Sequence, residues 1–376
     1  MNYMRIIFKK FKARMIVGCI LAVIALLAVS VIVFINQASF GRTPRGERLE
    51  RVMKSPNYRN GEFKNQHETL LMTSDRGRFS GIWEFIFRKI DGLRPEQAVK
   101  AIKTDLRKIG RNEEILVWFG HSSYLIQTGG KRILVDPVFC MASPVSFVNK
   151  PFKGTELYTP DDMPDIDYLV ISHDHWDHLD YNTVKKLKDR IGAVICPLGV
   201  GEHFEYWGFD KERLIELDWN EDANLAPGFM IHCLPARHFS GRRLTANQSL
   251  WASFLLEAPS QKIYIGGDGG YDTHYAEIGN RFPGIDLAIL ENGQYNEEWS
   301  LIHLMPQYMA QTARDLKAKR VLTVHHSKYA LAKHRWDEPL NNAEEMKNKD
   351  SLNVLIPEIG AVSYTHLRAH ETPEHL

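Results

Sequence analysis

"SHDHWDH", residues 172–178, gathers three histidines and two aspartates within seven positions. Packing alone gives no reason for that much imidazole and carboxylate. The run grows directly out of "DYLVIS" (167–172), a continuous apolar stretch of the kind expected for a strand buried on both faces. His173 and His175, two apart on extended chain, can point to the same side. Asp177 and His178 follow the turn and can serve a second position a few ångströms away. Two ligand sets on one loop suggest two metal ions. Neutral imidazole and carboxylate without thiolate suit Zn²⁺, with Mn²⁺ or Fe as alternatives. The competing reading, a solvated polar loop, leaves the H-x-H-x-D-H spacing unexplained.

One loop cannot supply two metals, so further ligands are expected downstream. His238 in "PARHFSGR" follows a predicted strand at 229–234. Asp268 in "YIGGDGGY" follows one at 262–266, and His325 in "VLTVHHS" follows one at 320–324. His325 is preferred to its neighbour His326. All three sit where a strand runs out into a loop, the edge at which α/β proteins build sites.

From residue 115 the chain reads as short β-rich runs at 115–119, 123–128 and 132–136, separated by "GHS" and "GGK". Further strands are expected at 193–196, 250–256 and 286–290, and helices at 93–109, 181–190 and 306–318. The early strands lack crossover helices, which favours a two-sheet α/β sandwich over a doubly wound sheet. Cys140, Cys196 and Cys233 are too scattered for a disulfide framework or a zinc ribbon and read as small buried residues.

Residues 15–35, "MIVGCILAVIALLAVSVIVFI", carry no charge. As a helix the segment is about 31 Å long, roughly the thickness of a hydrocarbon core. It is too long for the apolar part of a secretory signal, and the nearest cleavage candidate, Ala38, is poor. A single-pass anchor is the favoured reading. The first 54 residues hold ten of the 47 Lys/Arg and two of the 46 Asp/Glu, so a basic leader precedes a mildly acidic body. That distribution argues against a nucleic-acid partner and fits a membrane-facing N-terminus. The slight excess of basic residues before the span points the body to the non-cytoplasmic side. The expected layout is a basic tail (1–14), the anchor (15–35), a tether and accessory segment (36–111), a main domain (112–361) and a tail (362–376). Within the second of these, 36–60 reads as tether, and the aromatic, charged "GIWEFIFRKI" at 81–90 as a segment that packs on the domain or touches the membrane. The tail "VSYTHLRAHETPEHL" reads as non-native or disordered, and its histidines are left out of the site.

"SHDHWDH", "PARHFSGR", "GGDGGY" and "VHHS", in this order, resemble the metallo-β-lactamase superfamily over roughly residues 112–361. "VWFGHSSYLIQTGGKRILVDPVF", "IGNRFPGIDLAIL" and "HLMPQYMAQ" resemble its branch containing N-acyl-phosphatidylethanolamine-hydrolysing phospholipase D. The resemblance implies an αββα sandwich and two zinc ions per chain. His173, His175 and His238 would hold one, Asp177, His178 and His325 the other, and Asp268 would bridge. It also places a histidine near His303 beside the substrate phosphate. Two departures are evident: "GDGG" (267–270) stands where the family turn reads Gly-Asp-Thr-Gly, and "HHSKYAL" replaces a more usual aromatic after the last ligand.

The chemistry follows without the name. Two divalent cations sharing a hydroxide bring its pKa near neutrality, and their charge stabilises an oxyanion on a phosphoryl or carbonyl group. No GxSxG elbow supplies a side-chain nucleophile. Asp177, Asp174 and His303 are the expected catalytic groups. Asp174 lies between two ligand histidines and either orients them or moves a proton. Asp136, ending "RILVD", is expected to hold an imidazole N–H; His121 and His303 are expected either to reach the pocket or to pack a turn, and Trp176 to serve packing or the pocket wall. The resemblance, together with the anchor, implies a lipid phosphodiester such as an N-acyl phosphatidylethanolamine as substrate. The alternative is a lactone or a soluble phosphodiester on the same site.

Overall fold

The computed structural model describes residues 2–73, 90–145 and 147–364 and divides into two compact units, Met1–Gly41 and Arg42–Leu376. The first is built on one helix, Asn2–Ile35. Among the described residues its stretch Ile7–Ile35 is the one helix long and apolar enough to cross a membrane, and none of that window is buried.

The second unit holds two seven-stranded mixed sheets. One runs in spatial order Val362–Tyr364, Ile115–Trp118, Tyr124–Thr128, Lys131–Val135, Ile166–Val170, Ile191–Pro197, Leu214–Leu217. Its first three pairings are antiparallel and its last three parallel. The other runs Val354–Leu355, Val321–Val324, Leu287–Glu291, Lys262–Ile265, Ser253–Glu257, Phe229–Leu234, Asp222–Ala226. Here the first three pairings are parallel and the last three antiparallel. Each half thus repeats one plan.

Alternation along the strands sorts side chains into layers. Leu116, Trp118, Tyr124, Ile126, Ile133 and Val135 of the first sheet meet Ile231, Cys233, Phe254, Leu256, Ile263 and Ile289 of the second in one shared core. The opposite face of the first sheet packs Val117, Leu125 and Leu169 under Val184, Leu187 and Phe204, from helices Tyr181–Leu187 and Gly201–Tyr206. The opposite face of the second packs Leu255, Ala288 and Leu290 under helices His274–Arg281, Met309–Asp315 and Glu338–Asn348. This is the expected αββα sandwich. With both faces covered, the central strands read as unbroken apolar runs.

Four expectations are corrected. Residues 93–109 form no helix. Val99 N–H donates to Lys153 O (2.8 Å) and Ile102 N–H to Ile359 O (2.7 Å), and Ala101 bridges Ile359. Such tertiary hydrogen bonds override a weak local propensity. Residues 42–60 are not a loose tether: Gly46–Lys54 is a helix whose Arg48 pairs with Glu202 (2.7 Å) and Glu216 (2.6 Å). Val362–Tyr364, assigned to the tail, adds an edge strand to Ile115–Trp118, because that strand otherwise leaves its backbone donors unpaired. Cys140 is exposed, whereas Cys196 and Cys233 are buried. Residues 81–89 of the accessory segment and 365–376 of the tail lie outside the described residues.

Candidate metal centre

The loops that follow the central strands of both sheets meet at one end of the sandwich. Strand Ile166–Val170 delivers His173, His175, Asp177 and His178; Phe229–Leu234 delivers His238; Lys262–Ile265 delivers Asp268; Val321–Val324 delivers His325. All seven expected ligands belong to groups whose donor atoms lie within 4.8 Å of one another: His173, His175 and His238; His121, Asp177, His178 and His325; and His173, His178 and Asp268. Asp268 touches both sets, with Oδ2 3.2 Å from His178 Nε2 and 3.8 Å from His238 Nε2, and Oδ1 3.2 Å from His325 Nδ1.

Proton counting shows what the first group lacks. Ser172 Oγ has one hydrogen, and it lies 2.6 Å from Asp136 Oδ2, which can only accept. Ser172 Oγ therefore accepts the Nδ1–H of His173 (2.9 Å), leaving His173 Nε2 bare. His238 Nδ1–H donates to Ile302 O (2.7 Å), leaving its Nε2 bare as well. These two lone pairs point at His175 Nδ1, from 2.8 and 3.2 Å. One imidazole hydrogen cannot satisfy that convergence; a cation can.

The second group repeats the pattern. His178 Nδ1–H donates to Asp136 Oδ2 (2.8 Å), and its buried Nε2 has no hydrogen-bond partner, like Asp268 Oδ1. His121 Nε2–H holds Asp177 Oδ2 at 2.9 Å, and Ser122 Oγ lies 2.8 Å from His325 Nδ1. Burial pushes His173, His238 and His325 well below the usual histidine range, so they stand as neutral ligands. His178 moves the other way. Burial opposes its charge, but Asp268 and Asp177 outweigh burial and raise its pKa. The two carboxylates thus favour positive charge at this position, which a bound cation would supply. The donor set, nitrogen and carboxylate oxygen without sulfur, fits divalent metal ions of the zinc class.

Local backbone explains part of the placement. His121 (φ 53°), Asp136 (φ 40°) and His325 (φ 69°) all occupy the left-handed region, which costs non-glycine residues roughly 1–3 kcal/mol each. His325 N–H donates to His121 O (2.9 Å) and His121 N–H to His326 O (2.8 Å), which locks the pair of loops. In the "GDGG" turn a Cβ on Gly270 would come within 2.0 Å of Leu301 O, so a side chain is excluded there.

Other assignments sort clearly. Asp136 holds an imidazole N–H, as expected. His326 turns away, its ring against Trp118 (4.9 Å). Trp176 lies under the Arg242 guanidinium (4.0 Å) and does not line the cavity described below. Asp174 belongs to none of the donor groups. It accepts from Gly241 N (2.8 Å), Ser249 Oγ (2.8 Å) and His203 Nε2 (3.1 Å); burial raises its pKa, but His203, His175 and Ser249 outweigh burial and lower it. Those bonds tie the carboxylate to the loops at Gly241, Ser249 and His203, which fits the orienting half of its expected role. His203 in turn accepts Arg42 N–H on Nδ1 (3.0 Å).

Two features escaped the sequence reading. Glu291, at the end of strand Leu287–Glu291, is buried 2.8 Å from His303 Nδ1. Burial pushes its carboxyl up to about 7, with His303 opposing and Asp268 adding. A charge ending the apolar run "DLAILE" was the available signal, the same one that singled out Asp136. The second feature is the segment 65–73. Asn65 Nδ2 donates to His238 O (2.8 Å) and Thr73 N–H to Glu298 O (2.7 Å), so the segment crosses the site. Between those pins, Leu71 and Met72 join Phe239, Trp299, Ile302 and Leu331 as the apolar wall of a cavity of about 670 Å³. His175, Asp177, Asp268, His303 and His325 form its floor.

Residues 131–326, just over half of the chain, match the family described as beta-lactamase superfamily domain. The chain belongs to this superfamily, and it is a metal-dependent hydrolase of the metallo-β-lactamase type. An uncharacterized protein of Mycobacterium tuberculosis is 35% identical over 313 residues, covering 81% of this chain and 83% of the relative. The N-acyl-phosphatidylethanolamine-hydrolyzing phospholipase D 1 of Caenorhabditis elegans is 27% identical over 271 residues, covering 65% and 75% respectively. Among solved structures, Igni18, a metallo hydrolase from Ignicoccus hospitalis, superposes with a TM-score of 0.52 at 19% identity, covering 67% of this chain and 98% of that one. That likeness carries the fold.

Proposed function

We propose that this chain hydrolyses a phosphodiester bond in a membrane lipid, in the manner of a phospholipase D. His173, His175 and His238 would hold one metal ion and Asp177, His178 and His325 a second, with Asp268 between them. Zn²⁺ is the favoured occupant. When bound, such ions supply Lewis acidity and lower the pKa of water toward neutrality. The chain's own groups do the rest. Asp136 and Ser172 fix the imidazole faces, and His121 Nε2–H holds Asp177 in place. His303 lines the cavity floor, where a phosphoryl oxygen would lie.

The observation that carries this reading is the apolar cavity opening directly onto the donor cluster. Leu71, Met72, Phe239, Trp299, Ile302 and Leu331 match the acyl chains of a lipid, and each buried CH₂ contributes about 0.8 kcal/mol. The relative that hydrolyses N-acyl phosphatidylethanolamine supports the same substrate class. The N-terminal helix would anchor the chain as a single span with the catalytic domain on the non-cytoplasmic side, where confinement to the bilayer raises the local lipid concentration.

The test is mass spectrometry of N-acyl phosphatidylethanolamine vesicles incubated with the purified full chain. Phosphatidic acid should appear with the wild type and not with Asp177→Ala/His178→Ala. Metal analysis should find about two equivalents. Absence of phosphatidic acid, with turnover of a lactone or of bis(4-nitrophenyl) phosphate, would move the assignment to the soluble-substrate alternative.

A further inference from the structure

Glu291 is a fully buried carboxylate with three donors on it. Oε1 accepts Gly269 N–H (2.7 Å) and Leu304 N–H (2.8 Å), and Oε2 accepts His303 Nδ1–H (2.8 Å). Gly269 follows Asp268, and Leu304 follows His303. One side chain therefore ties the turn that carries the central carboxylate to the loop that carries the cavity histidine. It does so from the last residue of strand Leu287–Glu291, whose register is fixed by parallel neighbours on both sides. Gly269 stands where the family turn has threonine, and its backbone N–H goes to Glu291. His303 Nε2, the ring's other nitrogen, makes no hydrogen bond among the described residues, and the ring lines the cavity floor.

We propose that Glu291 is the positioning residue of this site: its carboxylate keeps the hydrogen of His303 on Nδ1 and holds the ring and the Asp268 turn in one frame, so that His303 Nε2 is turned to the reacting group for proton exchange. This rests on the phosphodiesterase reading above. Glu291 touches no substrate and acts through His303. A strand end is a more precise mount than a loop, and precise orientation is what a reacting group in a cavity requires.

Glu291→Gln separates this role from a structural one. Its amide oxygen still accepts from Gly269 and Leu304, so fold and metal content should persist. Its amide NH₂ now faces His303 Nδ1, and the ring hydrogen should move to Nε2. Two readouts decide, both on the metal-loaded full chain in detergent micelles. In ¹⁵N-histidine-labelled protein, with His303 assigned by loss of its signal in His303→Ala, wild type should carry the hydrogen on Nδ1 and Glu291→Gln on Nε2. Unchanged His303 signals would overturn the proposal. In kinetics on N-acyl phosphatidylethanolamine micelles and on bis(4-nitrophenyl) phosphate, Glu291→Gln should lower kcat about 10- to 100-fold with little change in KM. The double variant Glu291→Gln/His303→Ala should fall no further than His303→Ala alone. Losses that multiply would show Glu291 acting independently of His303 and overturn the proposal. If wild type cleaves neither ester, the phosphodiesterase reading fails and the ¹⁵N result alone decides the positioning role.

Discussion

Arg48 Nε lies 2.6 Å from Glu216 Oε2, with both side chains less than a tenth exposed. The same guanidinium reaches Glu202 at 2.7 Å and Glu205 at 2.9 Å. The segment after the apolar helix is therefore part of the catalytic unit. Replacing Arg48 by alanine leaves two buried carboxylates short of a partner, which costs about 3–5 kcal/mol. Urea denaturation of the full chain measures it; a loss below about 1 kcal/mol would restore the description of residues 42–54 as a tether.

Asp136 gathers Ser172 N–H, Ser172 Oγ–H and His178 Nδ1–H on its two oxygens, at 2.6–2.8 Å. Asp136→Ala should weaken metal affinity about 10- to 100-fold through loss of ring orientation. Chelator competition gives the number, and an unchanged affinity would contradict the placement of His178 among the ligands.

Lys328 is buried, its Nζ donating to Val138 O (2.9 Å) and Phe119 O (3.3 Å). Burial pushes its ammonium down from 10.5 to about 8. A lowered folded pKa means that between those values the unfolded chain binds the extra proton. Stability from this group thus rises with pH from about 8 to 10.5, by roughly 3 kcal/mol, and is flat below 8. Lys328→Met should lack this rise. Parallel denaturation of both proteins at pH 7.5 and pH 10 tests it, and identical pH dependence would refute it.

Met72 and Trp299 face each other's cavity wall over the donor cluster. Met72→Ser and Trp299→Ala each remove apolar surface worth about 1.5–3 kcal/mol when buried by a ligand. KM for the lipid should rise about tenfold or more, while turnover of bis(4-nitrophenyl) phosphate should stay within about twofold. Equal losses on both substrates would place these residues in support of the cluster and not in acyl recognition.

The site was more legible than its surroundings. Metal-ligand chemistry needs particular side chains at loop positions, and the seven candidates picked by type and spacing fall into donor groups that lie together. Asp136 showed because a charge ending an apolar strand demands a partner, and Glu291 obeyed the same rule without being noticed. For Asp174 the sequence left orienting and proton transfer open, and the bonds of its oxygens to Gly241, Ser249 and His203 fit the first. The predicted helix at 93–109 failed because its partners, Lys153 and Ile359, are far away in sequence.

By itself the sequence determined the strand plan, the apolar N-terminal helix and the donor set, because periodicity, length and side-chain chemistry are local properties. Only the tertiary structure decided which imidazole nitrogens are bare, that residues 42–73 belong to the domain, and that Leu71, Met72 and Trp299 wall a cavity above the cluster. Each of those depends on hydrogen bonds or contacts between residues far apart in the chain, whose outcome is settled when the two sheets close on each other.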